Sequence, residues 1–554
     1  MKFAPASGIH PTLRPALTTE PVTDDRAFLP WVLAGIAALA CLGFAAFTGH
    51  MWEDYFITFR SSLNLATGNG LVFQPGERVH TFTSPLGTLL PALFALGGGD
   101  DVAVRALWMF RVLSALAVGG SVWLATRAMQ RNQVAPVFVA VVGGSWALDA
   151  KIIDFSINGM ETALVVLFVT LTWRSFASGA RLWPSALSFA GLQWTRPDGF
   201  VFFGAIALAW VLVGASNLSW RARLWAVIRP VAVGGVLYLP WFMFTWIYYG
   251  TPIPHTILAK ARPHSLIETA QLLASYPWQL LFGAVASHDV FKPAYYFLGG
   301  WPDFLGGITR GLTMGAALAW IWPRLAAPGR VASLAFCLGG FYIIYIPPFP
   351  WYYPGWQALA LISWGYLLHA LWSIRTNSTL GRTLVQASTR LAGVLILLIQ
   401  VGILACAAWQ MRAQQQIVET GHRREIGLWL AAEATSPRDT VFLECLGYIG
   451  YFSQLKMLDY PGLSAPEVVA ARRAGHKKFE QALAALKPTW LVLRPFEAAH
   501  VFKAQPEIQA DYILRRRFDV RDQVDAHPIL PGRGYLHFDS AFLVYQRKPT
   551  GAGL

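Results

Sequence analysis

The chain has 554 residues, of which 55% are hydrophobic and only 13% are charged, and its mean hydropathy is +0.43. This balance excludes an ordinary soluble enzyme, because a chain with so few charges needs lipid as part of its solvent. The formal net charge of +14 does not indicate nucleic-acid binding, since basic residues in membrane-protein loops serve topology and contact with anionic lipids.

Apolar runs of the length that a helix needs to cross about 30 Å of hydrocarbon recur along the chain. We therefore predict an α-helical polytopic bundle of about 11 transmembrane helices, at residues 29–48, 103–126, 134–152, 161–177, 183–195, 199–214, 230–249, 305–323, 331–347, 355–373 and 390–410. Residues 1–28 form a polar N-terminal segment, and residues 29–410 form the transmembrane domain.

Basic residues lie mostly in the loops that share a side with the N-terminus, among them Arg127, Arg131, Arg174 and Arg181. The positive-inside rule then places the N-terminus in the cytoplasm. The first loop, 49–102, the loop 250–304 and the tail 411–554 fall on the external side. The tail mixes charges, helical stretches and short apolar strands at 440–443, 489–493 and 541–545, so it predicts a soluble α/β domain.

Three stretches carry groups suited to chemistry. Glu53 and Asp54 follow the first span, where a carboxylate pair could act as a base, bind a metal or stabilise positive charge that develops on a sugar ring. Alternatively, the pair could simply cap a helix. Arg196 and Asp198 interrupt two short spans, so they either face a cavity or form a structural ion pair. The loop residues His255, Lys260 and Arg262 suit an anionic phosphate, or alternatively lipid headgroups.

The sequence contains no glycine-rich nucleotide loop, no HExxH motif and no paired CxxC motif. A nucleotide-sugar donor therefore lacks a recognisable site. A lipid-linked donor, which enters sideways from the bilayer, better suits a protein whose unusual residues share the external face.

Several ordered motifs resemble the C superfamily of membrane glycosyltransferases, in particular its bacterial arabinofuranosyltransferase B-like branch. The resemblance rests on Glu53-Asp54, Ile57-Thr58-Phe59-Arg60, Gly68-Asn69-Gly70-Leu71-Val72-Phe73, Pro75-Gly76-Glu77-Arg78-Val79, Thr83-Ser84-Pro85-Leu86, Asn158-Gly159-Met160-Glu161-Thr162, Arg196-Pro197-Asp198-Gly199, Tyr249-Gly250-Thr251-Pro252-Ile253-Pro254-His255-Thr256, Ala259-Lys260, Trp351-Tyr352-Tyr353 and Leu458-Asp459-Tyr460-Pro461-Gly462-Leu463. These motifs run in order along nearly the whole chain.

The resemblance implies a polyprenyl-phosphate sugar donor and a catalytic acid in the first loop. The usual pair there is Asp-Asp, and Asp54 is favoured over Glu53 because its spacing to Ile57 and Arg60 matches the second position. The residues expected to bind the donor are Arg196, Asp198, His255, Lys260, Arg262, Tyr352 and Tyr353, with Arg60, His80, Asn158 and Glu161 as further site candidates. No metal site is predicted, and a divalent cation stays open as the one possible cofactor.

The sequence thus predicts an enzyme of the bacterial inner membrane, surrounded by membrane lipids, with its tail in the periplasm. It moves a sugar, with arabinofuranose as the first choice and a hexose as the alternative, to an acceptor glycan or protein. The alternative function is a transporter or lipid-linked sugar flippase, since broken helices with buried charges also mark transporters. Asp54, Glu161, Asp198, Lys260 and Tyr352 are expected to converge on one external site.

Overall fold

The computed structural model describes residues 28–260, 265–293, 301–345, 349–373, 379–527 and 533–549. In chain order its first sixteen helices are α1 (Leu29–Thr48), α2 (Glu53–Ala66), α3 (Pro85–Ala95), α4 (Val102–Arg131), α5 (Pro136–Ala147), α6 (Ala150–Ile157), α7 (Thr162–Ala177), α8 (Leu182–Thr195), α9 (Gly199–Ala209), α10 (Trp220–Tyr249), α11 (His255–Lys260), α12 (Leu266–Phe282), α13 (Phe304–Leu318), α14 (Ala327–Ile343), α15 (Pro354–Ser373) and α16 (Thr379–Ala413). A helix lies at each predicted span.

Within the described residues, five helices are long and apolar enough to cross a membrane, and a sixth span results if α5 and α6 are counted together. The helices α7, α9 and α14 are apolar but shorter than this criterion requires. The chain is therefore a membrane protein by helix length and composition, and the number of eleven spans stays a prediction.

Two interruptions bring polar groups into the helical bundle. The chain bends by 45° between α5 and α6, where the Asp149 carboxylate accepts the Ile152 N–H at 2.9 Å and so begins α6. The second interruption separates α8 from α9 at Arg196, whose backbone is extended because a residue that precedes proline avoids helical geometry. Both breaks leave backbone groups for side chains to satisfy.

The first loop contributes α2 and α3. Glu53 and Asp54 occupy the first turn of α2, near the positive end of the helix dipole. Ser84 begins α3 by accepting the Gly87 N–H at 2.9 Å, and Pro85 follows in the first helical position. The segment that follows Ser84 is therefore helical.

After α16 the chain continues through a π-helical segment, Gln414–Arg423, into the C-terminal region. This region contains α17 (Arg424–Glu433), β1 (Thr440–Leu443), α18 (Gly447–Ser453), β2 (Lys456–Asp459), α19 (Pro466–Arg473), α20 (Phe479–Leu486), β3 (Trp490–Leu493), α21 (Pro495–Ala504), α22 (Pro506–Asp511), β4 (Tyr512–Asp519), α23 (Arg521–Asp525), α24 (Arg533–Phe538) and β5 (Ala541–Arg547). The sequence predicted β1, β3 and β5 but not β2 or β4.

The five strands form one mixed sheet in the order β2-β1-β3-β5-β4. Its central strands are parallel, whereas β5 runs antiparallel to both of its neighbours. Side chains alternate between the two faces, so that Val441 and Leu443 join one core with Ile449, and Phe442 joins the other with Val468. Helices cover both faces of the central strands, which explains why β1 and β3 are almost entirely apolar.

The C-terminal region packs directly on the first loop. Arg60 of α2 is 2% exposed and donates hydrogen bonds to the carbonyl oxygens of Gly450 and Gln454, at 2.9 and 3.2 Å. Phe56 packs on the Tyr448 ring, with centroids 4.5 Å apart. These contacts hold the α2 helix, with its two carboxylates, between the bundle and the sheet.

Candidate active site

A cavity of about 510 Å³ lies between the first loop, the α8–α9 break and the loop before α15. We call it the inner cavity. It is lined by five residues that the sequence expected to converge, namely Asp54, Glu161, Asp198, Lys260 and Tyr352, and by Arg196. Convergence of five separate segments on one cavity makes it the leading candidate for an active site.

Arg196 is the centre of a charged network at the wall of the inner cavity. Its guanidinium donates two hydrogen bonds to Asp198, at 2.8 and 3.2 Å, and a third to Glu161 at 3.1 Å. The Tyr352 ring covers the guanidinium at 4.7 Å from its centroid. The ion pair that the sequence offered as a structural alternative is therefore present, and it also faces the cavity.

Tyr342 completes this network. Its hydroxyl donates to Asp198 Oδ2 at 2.5 Å, so Asp198 has two donors and is well satisfied. The sequence analysis missed Tyr342, because a tyrosine inside an apolar run gives no signal until the helices are packed.

Lys260 approaches the inner cavity from α11 and is exposed. Two backbone contacts hold this short helix: His255 donates its N–H to the His80 carbonyl at 2.8 Å, and Arg472 donates to the Ala259 carbonyl at 2.7 Å. Within the described part of the chain no carboxylate lies within ion-pair distance of Lys260. Its charge is available to an anionic ligand.

Asp54 lies where the inner cavity meets a second one. Burial raises the pKa of its carboxyl group, and the positive charge of Lys260, a hydrogen bond from the Trp52 side chain and the charge of Arg423 each act in the opposite direction. A buried carboxylate with a raised pKa beside a cavity is suited to accept a proton.

Glu53 faces away from the inner cavity, toward the C-terminal region. Its Oε1 accepts the Gly447 N–H at 3.2 Å, and its Oε2 lies 3.5 Å from Arg423. Burial raises the pKa of Glu53 to about 8, against the opposing charge of Arg423. Glu53 therefore carries less negative charge at neutral pH than an exposed glutamate does.

The second cavity, which we call the outer cavity, has a volume of about 700 Å³ and is covered by the C-terminal region. It shares Asp54, Lys260 and Trp351 with the inner cavity. Aromatic rings form much of its wall, from Trp52, Trp351, Tyr460, Tyr535 and Phe538. Trp52 and Tyr535 are stacked, with centroids 6.0 Å apart. Aromatic faces of this kind suit the apolar faces of sugar rings.

The outer cavity also has three arginines, and the carboxylates of the C-terminal region already pair with two of them. Arg494 forms ion pairs with Glu444, Asp539 and Glu497 at 2.5 to 2.6 Å. Arg423 pairs with Asp539 and, at 2.9 Å, with Glu419. The two arginines hold the pKa of Asp539 below its usual value despite its burial. The positive charges of Arg423 and Arg494 are therefore balanced by carboxylates of the protein itself.

Four other predicted site residues lie outside the lining of both cavities. Arg60 anchors the C-terminal region, as described above. His80 stacks on Tyr249 with centroids 4.6 Å apart, and burial lowers its pKa to about 3. Tyr353 is buried against Lys151, and His255 contributes its backbone to the start of α11.

Asn158 has an indirect position in the site. Its backbone carbonyl oxygen accepts a hydrogen bond from the backbone N–H of Trp52 at 2.9 Å, directly before α2. It therefore supports the chain at the point where Glu53 and Asp54 begin the helix. Arg262 lies outside the described residues.

Among the residues that the structure describes, no group of three or more His, Cys, Asp or Glu side chains could hold a metal ion. The possible requirement for a divalent cation is a question for the assay described below.

Comparison with known proteins places this geometry in context. Over 254 residues, 41% of this chain, it is 29% identical to a terminal β-(1→2)-arabinofuranosyltransferase of Corynebacterium glutamicum. It is 30% identical over 230 residues to the Mycobacterium tuberculosis protein of the same name. The aligned regions span about a third of these relatives, 36% and 34% of their lengths.

Among solved structures, ArnT from Cupriavidus metallidurans bound to undecaprenyl phosphate matches with a TM-score of 0.50 and 13% identity, over 94% of this chain and 98% of that one. Its fold is that of the C-superfamily glycosyltransferases. The chain therefore has the glycosyltransferase C fold. The resemblance expected from the sequence is confirmed. Residues 408–545 of this glycosyltransferase-C-fold protein also match a family model described as a domain of unknown function (DUF8728).

Proposed function

We propose that the protein is a glycosyltransferase that moves arabinofuranose from a polyprenyl phosphate to an acceptor glycan or protein outside the bacterial inner membrane. The observation that carries the proposal is the position of Asp54, which lines both the inner and the outer cavity. A transferase needs one residue in reach of both substrates, and Asp54 has that position.

The inner cavity suits the donor. Lys260 supplies a positive charge for the phosphate, and the Arg196 guanidinium, which Asp198 and Glu161 hold in place, lines the same cavity. Apolar residues such as Phe200 and Ile257 line the same cavity and are exposed, which suits a ligand with a hydrocarbon tail. The relative ArnT was solved with undecaprenyl phosphate, a ligand of this class.

The outer cavity suits the acceptor. Its aromatic walls can stack on sugar rings. Two of its three arginines, Arg423 and Arg494, are already paired with carboxylates, and Arg472 donates to the backbone carbonyl oxygens of Ala259 and Pro461. A neutral glycan is therefore a better occupant than a second phosphate. The terminal arabinofuranosyltransferase name of the two relatives supports arabinofuranose as the sugar.

The chemistry exchanges one bond for another at the anomeric carbon. The bond between that carbon and the phosphate oxygen breaks, and the phosphate leaves with the electron pair, stabilised by Lys260 and Arg196. The acceptor oxygen forms the new glycosidic bond, and its proton passes to the Asp54 carboxylate. The products are the glycosylated acceptor and polyprenyl phosphate.

The direct test incubates the purified full chain in lipid nanodiscs with polyprenyl-phosphate arabinofuranose, a matched polyprenyl-phosphate hexose and an oligoarabinose acceptor. We expect mass analysis to show acceptor extended by one pentose. The same assay with and without a chelator tests the need for a divalent cation. Movement of the lipid-linked sugar across proteoliposomes without any new glycosidic bond would instead support the flippase.

A further inference from the structure

A third cavity lies at the opposite end of the helical bundle and is not used by the proposed reaction. It has a volume of about 180 Å³ and lies between the C-terminal ends of α4 and α7 and the start of α8. Four arginines line it: Arg127, Arg131, Arg174 and Arg181. We call it the arginine cavity.

The length of α4 determines where the arginine cavity lies relative to the membrane. Near the start of α4, the Ala103 carbonyl accepts a hydrogen bond from the Tyr55 hydroxyl of α2, the helix that carries Asp54 in its first turn. Arg127 lies 24 residues further along α4, or about 36 Å at 1.5 Å per residue. This distance exceeds the hydrocarbon thickness of about 30 Å, so the arginine cavity lies at headgroup depth on the other membrane face.

The positive charges in this cavity lack compensation. Its lining contains no carboxylate, and none of the ion pairs among the described residues involves these four arginines. Arg174 is close enough to Arg131 and Arg181 to be repelled by both. Arg423 and Arg494, by contrast, have carboxylate partners, so the chain does pair clustered arginines elsewhere.

The rest of the arginine cavity is lined by two serines, Ser175 and Ser178, and by the apolar residues Trp123, Leu124, Leu171 and Pro184. Trp31 contacts Trp123 with centroids 5.1 Å apart and is itself exposed, as is Trp183 beside Pro184. Tryptophans with this exposure are typical of the membrane interface. A ligand of this cavity therefore meets both guanidinium groups and hydrocarbon.

We infer that the arginine cavity binds the phosphate group of an anionic phospholipid, with the acyl chains against its apolar walls. Guanidinium groups bind phosphate oxygens through two parallel N–H donors, and basic pockets between transmembrane helices suit lipid headgroups. The small volume fits a headgroup rather than a whole soluble ligand. Binding here is independent of the sugar-transfer reaction.

The test is native mass spectrometry of the purified full chain with phosphatidylglycerol or phosphatidylcholine of identical acyl chains. We expect phosphatidylglycerol to bind at least about tenfold more tightly. The double variant Arg127→Gln/Arg174→Gln should lose this preference. Arg127→Lys/Arg174→Lys, which keeps the charge but not the fork geometry, should retain part of it.

The matched control is Arg221→Gln/Arg324→Gln, which removes two exposed arginines that do not line the cavity. It should keep the wild-type preference. Equal binding of the two lipids by the wild type, or an unchanged preference in Arg127→Gln/Arg174→Gln, would overturn the inference.

Millimolar inorganic phosphate distinguishes a lipid from a soluble anion. We expect it to leave the melting temperature unchanged. An equal, arginine-dependent stabilisation by phosphate alone would contradict a lipid site. Because no sugar substrate is present in these measurements, they are independent of the outcome of the transferase assay.

Discussion

The inner and outer cavities share Asp54 and Lys260, yet the paired arginines of the outer cavity are more deeply buried than Arg196 of the inner cavity. The inner cavity has an exposed lysine without a carboxylate partner among the described residues, beside an arginine that is only partly enclosed. In the outer cavity Arg423 and Arg494 are 3% exposed and paired with several carboxylates. Lys260 can still gain energy from an anion, whereas Arg423 and Arg494 have already paired their charges within the protein.

This difference indicates how one carboxylate can serve two substrates. A phosphate must be held by available positive charge, while a neutral glycan needs shape and aromatic surface. The buried arginines of the outer cavity then act on stability rather than on catalysis. Substitutions that separate catalysis, stability and donor binding can test this division.

The largest effect is expected from Asp54→Asn. Removal of the proton acceptor should lower turnover by about 10²- to 10⁴-fold, as measured by the rate of acceptor glycosylation. The folded protein should survive, because burial disfavours the charge of Asp54. Asp100→Asn, an exposed acid of the same loop, is the control and should keep full activity. Near-wild-type turnover in Asp54→Asn would remove this residue from the mechanism.

Asp539→Ala tests the outer cavity as a stability element. It leaves Arg423 and Arg494 without a shared buried partner, so we expect a loss of about 3–5 kcal/mol in unfolding free energy. Asp519→Ala is the matched control, since Asp519 also binds two arginines but has a side chain 27% exposed, against 6% for Asp539. Its loss should stay below about 1 kcal/mol. Thermal unfolding and protease resistance measure the stability of both variants. Similar losses in Asp539→Ala and Asp519→Ala would contradict the special role of the buried Asp539.

Lys260→Met should weaken donor binding, raising the KM for the polyprenyl-phosphate sugar by about 10- to 100-fold. It should also change the pH profile. Asp54 must be ionised to accept a proton, so activity is lost as pH falls through its raised pKa. Lys260 lowers that pKa, and its removal should therefore move the acidic limb of kcat/KM to higher pH. Lys260→Arg, which keeps the positive charge, should return the acidic limb to its wild-type position. An unchanged acidic limb in Lys260→Met would show that Lys260 does not act on the pKa of Asp54.

The smallest effect is expected from Glu53→Gln. Because the pKa of Glu53 is raised to about 8, the side chain is mostly protonated at pH 7, and glutamine resembles that form. We expect turnover to change by less than about threefold at pH 7. The glutamine oxygen can still accept the Gly447 N–H. A loss as large as that of Asp54→Asn would instead make the two acids a catalytic pair.

Much of the architecture could be predicted from the sequence because hydrophobic run length and strand composition are local properties. The predicted spans coincide with helices, and β1, β3 and β5 lie where the apolar strands were expected. The strands β2 and β4 were missed. β2 begins with Lys456 and ends with Asp459, and most of β4 is exposed and rich in arginine, so neither shows the expected apolar pattern.

The sequence by itself determined the membrane character and the segments that carry unusual polar groups, since these depend on composition and on the length of apolar runs. The preference for Asp54 over Glu53 follows from the family resemblance and stays a prediction. Only the tertiary structure decided which candidates share a cavity, which of them instead support the fold and which new residues join them. Arg60 and His80 have the chemistry of site residues, but packing buries them against the C-terminal region and Tyr249. Tyr342, Arg423 and Asp539 gain their importance from partners far away in the chain, and such long-range contacts leave no local pattern to detect.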